Sequence, residues 1–162
     1  MHSLTPMFAD ATESTFDTAM LILRLALGPM LFAHGYQKLF MGGRIEGTAG
    51  WFESMGMKPG KLNAWAAAMT ETGTGVMMTI GLLTPFAAAG MVGVMVVAWF
   101  THRGEFFVFK DGWEYNFVIG AVAIAVGTLG AGSWSCLLYT SPSPRDERRY
   151  LVCRLLLEKG GG

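Results

Sequence analysis

Four stretches of the chain are apolar for long enough to approach or exceed the bilayer requirement, which is about 20 residues at about 1.5 Å of rise each. They are "TAMLILRLALGPMLFAHGYQKLF" at 18–40, "NAWAAAMTETGTGVMMTIGLL" at 63–83, "PFAAAGMVGVMVVAWF" at 85–100 and "YNFVIGAVAIAVGTLGAG" at 115–132. Almost no loop separates the second from the third, which makes them an antiparallel hairpin. The third and fourth are short but apolar all round rather than striped, the pattern of helices that face lipid. Glycine recurs within the spans, at Gly73, Gly75, Gly81, Gly90, Gly93, Gly120 and Gly127 among others. In a water-soluble helix each would cost about 1 kcal/mol against alanine; between helices in lipid, small residues let backbones approach. The expected fold is all-α, a four-transmembrane-helix bundle spanning 18–135. A water-soluble helical bundle is the competing reading, because the second stretch is only moderately apolar.

The loop "MGGRIEGTAGWFESMGMKPG" sets Ile45, Trp51, Phe52, Met55 and Met57 among Arg44, Glu46 and Glu53. This spacing predicts a short interfacial helix between the first and second spans, ending near Gly56, with Trp51 at headgroup level. It reads as an amphipathic surface segment in preference to a binding lid.

Composition changes abruptly at the end. Residues 136–162 hold both cysteines and five of the twelve basic residues. Back-translation of Cys136–Asp146 gives a string that resembles the transposase end of a common sequencing adapter. Leu151–Leu157 resembles the flow-cell end of the same adapter, in the same frame and the right order. The expectation is a non-native, disordered read-through that replaces a short native C-terminus, so 136–162 is excluded from functional reasoning. Without it the chain has seven Lys/Arg and nine Asp/Glu and no cysteine. That leaves no disulfide framework, no cysteine-based metal site and no catalytic thiol, and no basic patch for nucleic acid.

Orientation follows from the loops. The segment 1–17 and the turn near Thr84 carry no Lys or Arg, whereas Lys38, Arg44, Lys58 and Lys61 flank or occupy the first loop and Arg103 and Lys110 the third. The positive-inside rule then puts those two loops in the cytoplasm and both termini outside.

Charges inside spans are expensive and mark candidate sites. On the first span Lys38 lies about 40° and His34 about 80° from Arg24, so the three share a face. The second span contributes Glu71, bracketed by Thr70, Thr72 and Thr74; Glu114 and Asn116 open the fourth and His102 closes the third. Counted from the cytoplasmic ends, His34 sits about 9 Å deep and Glu71 about 12 Å, while Arg24, at about 24 Å, is expected to snorkel outward. His34, Lys38, Glu71 and Glu114 are therefore expected to form a polar pocket in the cytoplasmic half. A purely structural network built from the same groups is an equally weighted alternative. A haem held by His34 and His102 has no second pair behind it, and the methionines are scattered, as packing residues are. No metal site is expected.

The segments "RLALGPMLFAHGYQKLF", "ETGTGVMMTIGLLTPFAA", "GWEYNF" and "GTLGAGSWS" together resemble the DoxX family of small four-helix membrane proteins. Arg24, Gly35, Lys38, Glu71, Gly81, Glu114, Gly130 and Gly132 stand at the positions of its pattern, which departs from the chain at Cys136. The resemblance implies a bacterial cytoplasmic (inner) membrane protein associated with redox chemistry, since members include a subunit of a thiosulfate:quinone oxidoreductase and partners in oxidative-stress complexes. On that expectation the protein is a small quinone-linked oxidoreductase subunit. His34 or Glu71 would handle quinone protons and Lys38 would polarise a quinone oxygen. Two other readings stay open: a non-catalytic anchor for a partner oxidoreductase, and a small-solute or proton carrier that would need to form a homo-oligomer.

Overall fold

The computed structural model describes residues 5–102, 104–110 and 112–136, with side chains from Thr12 onward except that of Val108. Of the read-through expected over 136–162, all but Cys136 lies outside the described residues, as does Arg103 in the orientation count. Five α-helices follow in order: α1 Thr5–Phe40, α2 Arg44–Ser54, α3 Gly60–Ile80, α4 Thr84–His102 and α5 Glu114–Leu129, with one 3-10 turn, Val108–Lys110, between the last two. The described residues contain no strand. The fold is all-α, as the hydrophobic pattern requires.

Each boundary has a local cause. Gly81 takes a left-handed conformation (φ 72°), so that the Leu82 N–H donates to the Met77 carbonyl at 2.8 Å and closes α3. This satisfies carbonyls the helix end would orphan. Only Gly81, Leu82 and Leu83 separate α3 from α4, with Pro85 in the first turn of α4, where its missing N–H is harmless. Pro29 lies inside α1, which runs through it as one helix. That helix begins at Thr5, taking in most of the segment expected to precede the first span.

The four long helices pack as a ring, α1 on α3, α3 on α4, α4 on α5 and, more thinly, α5 back on α1. Neighbours run antiparallel, because Gly28 meets Thr79 while Gly35 meets Thr72, and Gly90 meets Thr74. The main core draws Leu27 and Leu31 from α1, Met78 from α3, Ala87 and Met91 from α4, and Ile119, Ala123 and Val126 from α5. A second, smaller core forms where Ile45, Ala49 and Phe52 of α2 settle on Ala64 and Ala68 of α3. The amphipathic loop is thus a helix, with Trp51 on its exposed side.

Two helical stretches, Thr12–Phe40 and Thr84–His102, are long and apolar enough to cross a membrane, and α5 is apolar but shorter. Only 28% and 22% of those two stretches is buried inside the protein. A core helix of a water-soluble bundle hides its apolar surface; these present most of theirs outward.

Close packing rests on residues that lack a side chain. A Cβ placed on Gly75 would lie 2.5 Å from the Phe32 nitrogen and 2.8 Å from the Gly28 carbonyl oxygen, both backbone atoms that cannot yield. Gly73, two residues earlier on the same helix, has nothing within 4 Å of such an atom. Gly75→Ala should therefore cost about 1–3 kcal/mol through overpacking, whereas Gly73→Ala should be neutral or gain up to about 1 kcal/mol. Thermal unfolding of the two variants in detergent, followed by circular dichroism, separates them; equal melting points would disprove the seam.

Candidate functional site

The α1–α3 seam is built from Gly28 and Gly35 on one side and Ala68, Thr72, Gly75 and Thr79 on the other. The threonines do not compete for partners across it. Thr72 donates to the Ala68 carbonyl at 2.8 Å and Thr79 to the Gly75 carbonyl at 2.7 Å, each four residues back along its own helix. With polar groups so disposed, the two backbones close up, and the side chains flanking the seam are brought within reach.

At one end of the seam Lys38 Nζ donates to both carboxylate oxygens of Glu71, at 2.8 and 2.7 Å. The Glu71 side chain is 7% exposed and that of Lys38 24%. A two-pronged, largely desolvated ion pair inside an apolar bundle is strongly coupled: removing one partner leaves a charge without compensation. It differs in kind from the pair between Lys61 and Glu46, which ties α3 to α2 at 2.6 Å in full view of solvent and is worth little.

The other two residues of the expected pocket are placed differently. His34 is on an exposed flank of α1. Its 80° offset from Arg24, close on a helical wheel, carries it past the edge of a seam whose centre is occupied by glycine. Glu114 is half-buried in the first turn of α5, a helix that touches α1 only thinly. Among the described residues no group of three or more His, Cys, Asp or Glu is placed to hold a metal ion.

Arg24 corrects the sequence expectation. It does not snorkel; it is 1% exposed. Its Nη1 donates to the Ala131 carbonyl at 2.8 Å and its Nη2 to the Trp134 carbonyl at 2.7 Å, just beyond the end of α5. The same Nη1 lies so close to Gly81 that any side chain there would collide with it. The guanidinium thus sits where α3 and α5 both end, at the negative poles of two helices, which a fixed positive charge complements. Asp17, two turns earlier on α1, accepts from the Ser133 N–H at 2.8 Å, and the Cys136 N–H donates to the Ile80 carbonyl at 2.9 Å. Within the clamp, Arg24 Nε and the Thr84 hydroxyl are buried with no hydrogen-bond partner among the described residues. Counting depth along one helix does not reveal this, because the acceptors are main-chain carbonyls more than a hundred residues away. The one signal in the sequence is the glycine after each helix, Gly81 and Gly130.

The DoxX family model matches residues 19–104, more than half of the chain, and so covers both ends of the seam but stops short of α5. No curated protein and no solved structure matches the chain.

Arg24→Met should lower stability by about 2–4 kcal/mol, the scale of hydrogen bonds to a charged donor. Arg24→Lys should recover only part, since one ammonium does not reproduce the fork; chemical denaturation in detergent measures both. Glu71→Gln should cost about 3 kcal/mol by stranding Lys38, whereas the apolar pair Lys38→Met with Glu71→Met should fold about as well as the parent. Glu53→Gln, which disturbs only a 3.3 Å contact to the Gly60 N–H, should be nearly silent by comparison.

Proposed function

The chain belongs to the DoxX family and is a small membrane protein of that type, and on this basis we propose that it is a four-span, quinone-linked subunit of a redox system in the bacterial cytoplasmic membrane. In this arrangement α1, α3, α4 and α5 cross the bilayer and α2 lies along the interface. Both termini lie outside, so that Lys38, Arg44, Lys58, Lys61 and Lys110 face the cytoplasm. The observation that carries the reading is the desolvated Lys38–Glu71 pair, since ionisable groups held within spans are costly to keep and serve pathways of charge or protons.

The residues fit a lipid-soluble quinone in two respects. The Lys38 side chain, beside Glu71, stays 24% exposed. Deeper along the same seam, about 9–14 Å away by helical rise, Pro29, Phe32, Val76, Thr79 and Ile80 line an apolar crevice of about 250 Å³ suited to a hydrocarbon tail. A quinone held there would supply two-electron, two-proton redox chemistry, with the electrons drawn from a partner oxidoreductase. Lys38 donates a hydrogen bond to the ring oxygen and orients it. Glu71 holds and releases a proton at its carboxylate, and its burial keeps that proton from bulk water. His34, one turn deeper than Lys38 on α1, is the second candidate for carrying a quinone proton.

One observation favours the non-catalytic anchor instead: Lys38 already engages both oxygens of Glu71, the form of a structural pin. The double variant Lys38→Met with Glu71→Met separates the two. Titrated in detergent with a short-chain ubiquinone, the parent should bind and the stable double variant should lose at least about tenfold in affinity, the worth of one charge-assisted contact. Equal binding, or none by the parent, overturns the quinone reading and leaves the anchor.

A further inference from the structure

Between α4 and α5 the chain makes a closed turn that neither polar contact of the seam uses. The carbonyl of Glu105 accepts from the Trp113 N–H at 3.2 Å, that of Phe106 from the Glu114 N–H at 2.9 Å, and that of Phe107 from the N–H groups of both Lys110 and Gly112 at 3.0 Å. A side chain on Gly112 would run into the backbone of Phe106. The turn is thus fixed by its own main chain, and what it fixes is unusual. Phe106, Phe107 and Phe109 all point outward, Phe109 being 76% exposed, with the rings of Phe107 and Phe109 stacked at 5.4 Å. Behind them Trp113 packs edge-on against Phe106 and Phe117 and buttresses the group from α5.

We propose that this turn is a membrane-boundary wedge, its three phenylalanines seated in the glycerol and upper acyl region of one leaflet and Lys110 at the phosphates. Three observations select lipid over a protein partner. The antiparallel packing puts the turn at the same end of the bundle as Phe40 at the close of α1, Trp51 on α2 and Trp65 near the start of α3, all exposed. Exposed aromatic residues therefore stand at that end on α1, α2, α3 and the α4–α5 turn alike, as a bilayer boundary demands, whereas a docked protein needs a patch on one element. Exposed cations, Arg44 and Lys58 in the α1–α3 connection and Lys110 in the turn, stand at the same end of the bundle, where they complement phosphate despite the exposed Glu105. The third observation is that main-chain hydrogen bonds tie Glu105, Phe106 and Phe107 to Lys110, Gly112, Trp113 and Glu114. A preformed apolar tip enters the boundary without an ordering cost, and burial there relieves the exposure of its rings. The wedge would set the height at which Lys38 and Glu71 lie beneath the headgroups, and it is independent of whether that pair meets a quinone.

The test uses the full chain carrying Cys136→Ser and Cys153→Ser, with Phe109→Cys bearing an environment-sensitive nitrobenzoxadiazole label. It is reconstituted in vesicles of phosphatidylcholine and phosphatidylglycerol that contain lipids with a doxyl quencher near the glycerol or near the chain end. Quenching should be at least about twofold stronger from the glycerol position than from the chain end or from aqueous iodide, as for aromatic belts at the interface. Dominant iodide quenching, which leaves the turn in water or free for a soluble partner, overturns the proposal, and so does dominant quenching from the chain end. Phe107→Cys, labelled in the same background, gives a second reading, and circular dichroism verifies that each labelled protein keeps its helices.

Discussion

Close approach of two backbones is the constraint on which this protein rests. Along α1 and α3 the contact surface is main chain against main chain, with Gly28 and Gly75 each lying where any added carbon would strike the other helix. In lipid, where expelling water from between helices supplies no driving force, such contact replaces the hydrophobic effect as the source of cohesion. Both polar features of the molecule are by-products of that closeness. Lys38 reaches Glu71 at one end, and at the other Arg24 lies against Gly81 at the end of α3 while it donates to the carbonyls beyond α5.

The two ends differ in what their charges face. Lys38 and Glu71 neutralise each other by side chain, which leaves a pair that either member can unmake. Arg24 has no carboxylate in its hydrogen bonds; carbonyls past the end of α5 and the pole of α3 stabilise it instead. The first arrangement suits chemistry that moves a proton, and the second suits permanence.

Most of the fold is written in hydrophobic pattern. The spans 63–83, 85–100 and 115–132 match α3, α4 and α5 within three residues at each end, because apolar runs bounded by Gly, Pro and charged residues leave little choice. The apolar run from Thr18 misses the start of α1 by thirteen residues: polar residues such as Glu13, Ser14 and Asp17 end an apolar run without ending a helix. In the site, Lys38 and Glu71, expected in one pocket, do meet although Lys38 lies nearer the cytoplasmic end, because the long lysine side chain spans the difference. His34 matches Glu71 in depth, but an 80° offset from Arg24 does not say which side of a narrow seam a residue falls on. Arg24 escapes sequence reasoning because its partners are backbone carbonyls, which every residue owns and no sequence pattern marks.

Main-chain partners matter beyond Arg24. The stretch after α5 is held by the carbonyls of Ala131 and Trp134, the N–H of Ser133 and the N–H of Cys136, none of which belongs to a side chain of that stretch. The docking is consequently indifferent to spelling. Apart from the demand for glycine at 130 and 132, where φ is positive, these positions can drift and the bundle still fastens in the same way.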